Sequence, residues 1–150
     1  MDEIDRKIIR ELQRDGSLSH AALAELVGAS QAACWRRVKA LEAAGVLGQI
    51  VRLVSPAALE LNVNVLCQVR LKNHLPESTR QFEDFLRTHP EIMECYSMSG
   101  EWDYLLRVVT RDVEAYERFL MKALLVNPAV ATAASHFALR SVKYTTALPV

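Results

Sequence analysis

Between Gln31 and Leu41 the chain carries Arg36, Arg37 and Lys39 and no acid. Arginine reads guanine bidentately, glutamine reads adenine and a free ammonium contacts phosphate, so these cations, with Gln31 ahead of them, have the chemistry to meet duplex DNA. On an arbitrary surface helix the same residues are simply a solvated face, and what they mean depends on the shape that presents them. A second segment, Gly100-Glu101-Trp102-Asp103-Tyr104, combines a glycine that permits close backbone approach with carboxylates and aromatic rings. An Asp carboxylate can hold an ammonium group and turn amides can hold a carboxylate, which are the demands of a free amino acid. Glycine among acidic neighbours is equally an ordinary hairpin tip.

Other chemistry is sparse. His20, His74, His89 and His136 lack metal-ligand spacing, and the first three fall near the ends of elements. His136 lies within the last strand, as a hydrogen-bonded sheet residue or as the lining of a pocket. Cys34, Cys67 and Cys95 are odd in number and far apart, which reads as reduced, mostly buried thiols rather than a disulfide or zinc framework. There is no G-x-S-x-G, H-E-x-x-H, phosphate loop or dinucleotide fingerprint, so no catalytic residue, metal or cofactor is expected. Lys plus Arg equal Asp plus Glu at 18 each, so a DNA contact has to come from a local patch and not from a basic domain. With 150 residues, 51% of them apolar, the chain can build one ordinary core or two small ones. A bilayer span needs a run of about eighteen apolar residues, and none is present. The charged, periodic start MDEIDRKIIREL is unlike a signal peptide. The expectation is a cytoplasmic protein with no membrane partner.

Periodicity supplies the elements that position these residues. Ile4, Ile8, Ile9 and Leu12 make one face of a helix from Asp2 to Arg14, which ends at Asp15-Gly16. Ser19 is placed to cap HAALAELV, which Gly28 closes, and Ser30 is placed to cap a third helix from about Gln31 to Ala44, with Gly45 in the stop position. Two helices joined by a three-residue turn containing glycine make a helix-turn-helix pattern. At about 100° per residue, Cys34, Val38 and Leu41 face inward while Ala32, Arg36 and Lys39 project outward. Arg37 lies on one flank of the core stripe, and Gln31 and Trp35 lie on the other. Trp35 is either half buried or a DNA contact. QIVRLVSP then reads as an extended piece ending at Pro56, where Arg52 is a wing-like phosphate contact or a solvated edge residue.

The second half begins with the alternating strand Val63–Leu71. Pro76 opens a helix carrying Phe82, Phe85 and Leu86, and Ile92–Ser99 and Trp102–Val109 read as a hairpin. Asp112 caps a helix that Pro128 terminates, and a last strand runs from about Val130 to Val142. Strand, helix, strand, strand, helix, strand is the ferredoxin-like order, with both helices on one sheet face. In the hairpin, strict alternation sets Met93 and Cys95 against Ile92 and Tyr96, and Leu105 and Val109 against Tyr104 and Leu106. Both sheet faces are therefore apolar, which implies a protein partner, most simply a second copy. A dimer would also place two recognition helices side by side, as palindromic sites in double-stranded DNA require. The chain thus reads as α+β: a winged helix-turn-helix domain over residues 1–48, a strand and linker over 49–61, and a ferredoxin-like βαββαβ regulatory domain over 62–150.

Over essentially its whole length the chain resembles the Lrp/AsnC, or feast/famine, family of transcription regulators. The resemblance is carried by IDRKIIRELQRDG, by LAELVGAS and VKALEAAGV, and by ECYSMSGEWDYLLRV with the closing strand. It implies a DNA-binding domain joined to a regulatory domain, homodimers that assemble into larger discs such as a tetramer, an octamer or larger, and a small effector, usually an amino acid, bound between dimers. It places Ser30, Gln31, Arg36, Arg37 and Lys39 on the DNA-reading helix, and Gly100, Asp103 and Tyr104 in the effector loop with Trp102 adding bulk beside it. It also places Ser135, His136, Phe137 and Ala138 along the border of the effector pocket. Two alternatives share this scaffold. One is an architectural DNA-binding protein of low specificity; the other is an enzyme like the sirohaem decarboxylases, in which histidines serve a tetrapyrrole and the DNA-binding face is degenerate.

Overall fold

Helix α1, Glu3–Arg14, starts where Asp2 and Asp5 cap each other: the Asp5 amide donates to Asp2 Oδ1 at 3.0 Å and the Asp2 amide to Asp5 Oδ2 at 2.9 Å. The computed structural model describes all 150 residues, which divide into two units, Met1–Leu53 with Val142–Val150, and Val54–Ser141. In the first unit, Ser19 caps α2, His20–Val27, and Ser30 caps α3, Gln31–Ala43, each side chain accepting the backbone N–H three residues on. Between them Gly28 sits at φ 71°, a left-handed conformation that glycine adopts without the Cβ penalty. Cys34, Val38 and Leu41 of α3 meet Leu23, Ala24 and Val27 of α2 and Ile8 and Ile9 of α1 in one buried cluster. The helix-turn-helix is therefore held by apolar burial along the stripe that periodicity marks, with α3's outer face left to solvent.

Two segments differ from expectation. No strand forms between Gln49 and Ser55, where Ile50, Val51, Leu53 and Val54 stay exposed. The last nine residues, expected within the C-terminal domain, lie against the helices instead. The Leu148 amide donates to Gln13 Oε1 at 2.6 Å, Gln13 Nε2 donates to the Leu148 carbonyl at 3.1 Å, and Arg10 Nε donates to the Val150 oxygen at 2.6 Å. Val150 packs on the three-helix core. Polar side chains of α1 thus hold a backbone that hydropathy alone assigns elsewhere.

The second unit is a four-stranded antiparallel sheet in the order β2-β3-β1-β4, built from β1 Val63–Leu71, β2 Ile92–Ser97, β3 Tyr104–Thr110 and β4 Val130–Phe137. The last strand stops five residues before the expected Val142. Helix α4, Pro76–Arg87, follows β1, and α5, Val113–Phe119, follows β3 and widens into a π turn over Leu120–Leu124. Val65, Cys67, Val69 and Leu71 alternate along β1 into the layer that also holds Phe82 of α4 and Tyr116 and Phe119 of α5, so both helices cover the same sheet face. Leu66, Gln68, Leu105, Arg107, Val109 and His136 belong to the other face, which no helix covers. A register shift between Ile92 and Glu94 changes the parity of β2. Ile92 and Cys95 both reach the core while Met93 and Tyr96 are exposed, a correction to strict alternation caused by one extra residue.

Candidate DNA interface and effector loop

On α3, Gln31, Ala32, Trp35, Arg36 and Lys39 are exposed, and Trp35 at 49% is a surface side chain rather than a core one. The three cations have different surroundings. Arg37 Nη1, expected at the DNA, donates to Asp2 Oδ2 at 2.8 Å and to Asp5 Oδ1 at 2.7 Å and so ties α3 to the start of α1. Two acids more than thirty residues upstream compete for this guanidinium, which sits on the flank nearest α1. In both aspartates a backbone amide, then Arg37, holds the carboxyl below the usual carboxylate range. Lys39 Nζ pairs with Glu42 one turn on, at 2.7 Å. Arg36 alone of the three has no acidic partner. Ser30 Oγ accepts the Ala33 amide at 3.3 Å, so Ser30 serves first as the cap that starts the helix.

A groove of about 640 Å³ runs along this face, lined by Gln31, Ala32, Trp35 and Arg36 of α3 and by His20 of α2. His20 is absent from the set read from sequence. Its signal is positional: it is the first residue of the helix preceding the reading helix, beside the first turn of α3. The groove presents one permanent cation, one amide, one imidazole and one indole, donors suited to base edges and phosphates.

In the second unit, Met98–Asp103 closes the β2–β3 hairpin, with the Met98 amide donating to the Asp103 carbonyl at 2.8 Å. Gly100 at the tip has φ 110°, a region L residues rarely enter. The loop is fastened to β1. Asp103 N–H donates to the Val69 carbonyl at 3.0 Å, Asp103 Oδ2 accepts the Leu71 amide at 2.7 Å, and Asp103 Oδ1 lies 2.7 Å from His74 Nε2. Partial burial pushes the Asp103 carboxyl up, and the Leu71 amide and His74 outweigh it, leaving the group below its ordinary value. Arg70 donates to the Glu101 carbonyl and carboxylate at 3.1 and 2.7 Å and lies over the Trp102 ring, 5.1 Å from its centroid. Arg70 and His74 belong to this cluster, which sequence does not reveal, because the sheet register that brings them to residues 101–103 cannot be read from local spacing.

The remaining predicted effector residues do not converge within one chain. Tyr104 turns into the sheet–helix layer, its ring 4.9 Å from that of Phe82. Ser135 Oγ lies 2.6 Å from the buried Tyr116 hydroxyl, and the Phe137 ring meets Tyr116 edge-on at 5.3 Å, so both are on the helix side. His136, between them, pairs with Leu66 on the helix-free face. Period-two alternation therefore prevents Ser135, His136 and Phe137 from facing one pocket together. The Ala138 amide donates to the Asn64 carbonyl whereas Asp103 binds Val69, and five residues of strand are about 17 Å. The loop and the end of β4 thus lie toward opposite ends of β1. The cysteines offer no reactive thiolate: burial pushes Cys95 up to about 11 and also raises Cys34 and Cys67.

The chain matches the family models for the AsnC-type helix-turn-helix domain over residues 1–42 and for the Lrp/AsnC ligand binding domain over residues 64–148. It belongs to the Lrp/AsnC family. As a member it is a DNA-binding transcription regulator with an effector-binding domain. It is 35% identical over 150 residues to the DNA-binding transcriptional activator DecR of Escherichia coli K12, covering 100% of this chain and 99% of that one. To the leucine-responsive regulatory protein of the same organism it is 33% identical, covering 100% and 92%. An AsnC family transcriptional regulator from Agrobacterium tumefaciens superposes with a TM-score of 0.94 at 40% identity, over 99% of this chain and 97% of that chain. A Neisseria meningitidis transcriptional regulator, solved as a complex with L-Met, does so with a TM-score of 0.96 at 35% identity, over 99% and 96%. In this Lrp/AsnC chain, the helix-turn-helix match spans α1 and α2 and nearly all of α3 in the first unit, and the ligand-binding match spans the sheet with α4 and α5 in the second. No helix is long and apolar enough to cross a membrane.

Proposed function

We propose that this protein is a sequence-specific regulator acting in the cytoplasm, in which α3 reads the major groove and an amino acid bound at the 100–104 loop alters how copies of the chain assemble on DNA. The observation that carries the reading is the exposed Arg36, free of any acid, beside Gln31 and Trp35 on the outer face of the helix that follows the Gly28 turn. An unpaired guanidinium next to an amide has the donors and acceptor that base-edge recognition uses, and in a chain without net charge such local contacts have to supply the attraction to DNA. The helix-free sheet face, with Leu66, Leu105, Val109 and Tyr96, supports a second copy as the partner. Because the loop and the strand end diverge along β1, a pocket using both takes the loop of one copy and the strand end of another. An effector at such a site has different affinities for different assemblies, and that difference is what shifts the equilibrium. The test is to select duplexes from a random pool and compare the winner with its scrambled counterpart at one salt concentration, with and without each amino acid. A strong preference for the selected duplex, changed by an amino acid, is expected. Equal binding of both duplexes is the outcome that contradicts the reading.

A further inference from the structure

The carboxylate that the loop offers to an effector is already engaged on both oxygens. Asp103 Oδ2 accepts the part-buried Leu71 main-chain amide at the end of β1 at 2.7 Å, a donor fixed in place by the strand's backbone. Asp103 Oδ1 faces His74 Nε2 at 2.7 Å. The Asp103 side chain is 20% exposed and that of His74 is 76% exposed, so a ligand arriving from solvent meets the imidazole before the carboxylate. The nearest permanent cation, Arg70, is turned away onto Glu101 and Trp102. His74 stands in the short connection between β1 and α4, where the only side-chain bond besides its own is from the Leu75 amide to Asn73 Oδ1 at 3.1 Å. Rotation about its own torsions is enough to withdraw it.

We propose that His74 is the resident competitor for Asp103: an amino acid's ammonium group takes Oδ1 by displacing the imidazole, and His74 thereby sets the threshold concentration of effector. This rests on the reading of Asp103 as the ammonium site. An ammonium brings three donors and a full charge to a carboxylate, while an imidazole brings one donor from a given nitrogen. The ligand therefore wins the exchange but loses the strength of one exposed hydrogen bond in doing so. Removing the imidazole returns that loss, about threefold to tenfold in affinity.

The test titrates wild type, His74→Ala, His74→Gln and Asp103→Asn with the twenty amino acids, L-methionine first, by calorimetry on the full chain. His74→Ala is expected to bind about threefold to tenfold more tightly than wild type. His74→Gln, which keeps an N–H donor, is expected to bind nearer to wild type, and Asp103→Asn to lose binding. The wild-type His74 imidazole resonances should move on saturation, which a purely structural histidine would not show. Equal or weaker binding by His74→Ala, with Asp103→Asn still defective, overturns the role of His74 and leaves the ammonium site standing. If Asp103→Asn binds as wild type does, or if no amino acid binds either wild type or His74→Ala, the ammonium reading itself fails and takes the competitor role with it.

Discussion

The guanidinium of Arg37 holds Asp2 and Asp5 while its neighbour Arg36 stands free, and one step along the helix separates a fastening residue from one proposed to read DNA. The fastening is electrostatic and therefore depends on pH. Both aspartates are depressed in the folded chain, so their contribution is complete above the ordinary aspartate value of 3.8 and is lost as pH falls through their lower folded values. Arg37→Ala is expected to lower the melting temperature near neutral pH by no more than a few degrees, as suits a solvent-screened pair. The gap from wild type should close as the solution is taken below that value, which melting curves over a pH series will measure. A gap that persisted in strong acid would show that Arg37 acts through packing of its stem instead.

Among the elements, the β2–β3 loop depends on Gly100 at φ 110°, where an added Cβ meets no neighbour but the backbone itself is strained. Gly100→Ala is expected to destabilise the domain by about 1–2 kcal/mol through that strain, read as a lower denaturation midpoint, and to weaken effector binding in step. An unchanged midpoint would mean that the loop relaxes to a negative φ. How far such elements can be read from sequence follows from the range of the interactions that make them. Ser19, Ser30 and Gly28 act within three or four residues, and the Cys34-Val38-Leu41 stripe follows from helix geometry, so the helix-turn-helix was legible, as was the order of strands and helices. Arg37 with Asp2, Gln13 with Leu148 and His74 with Asp103 act across 35, 135 and 29 residues, and nothing local marks them. The β2 bulge defeats alternation for a related reason: register is decided by the partner strand, Tyr104–Thr110, and not by the bulged strand itself.

For the molecule as a whole, charge is balanced and specificity has to come from placing few contacts well, which pairing of copies would achieve. Leu66→Asp, on the exposed helix-free face of the central strand, is expected to shift sedimentation toward smaller species at the same protein concentration with the circular dichroism spectrum retained. An unaltered distribution would place the interface elsewhere. Smaller assemblies should also bind a two-half-site duplex more weakly, because each reading helix then works alone. The central claim, that α3 reads DNA through its free arginine, is met most directly by titrating wild type, Arg36→Ala and Arg37→Ala with a selected duplex across a range of salt concentrations. A loss of about 1–3 kcal/mol for Arg36→Ala, larger on the selected duplex than on a scrambled one, with Arg37→Ala close to wild type, is the predicted result. Unchanged affinity and salt dependence for Arg36→Ala would contradict it.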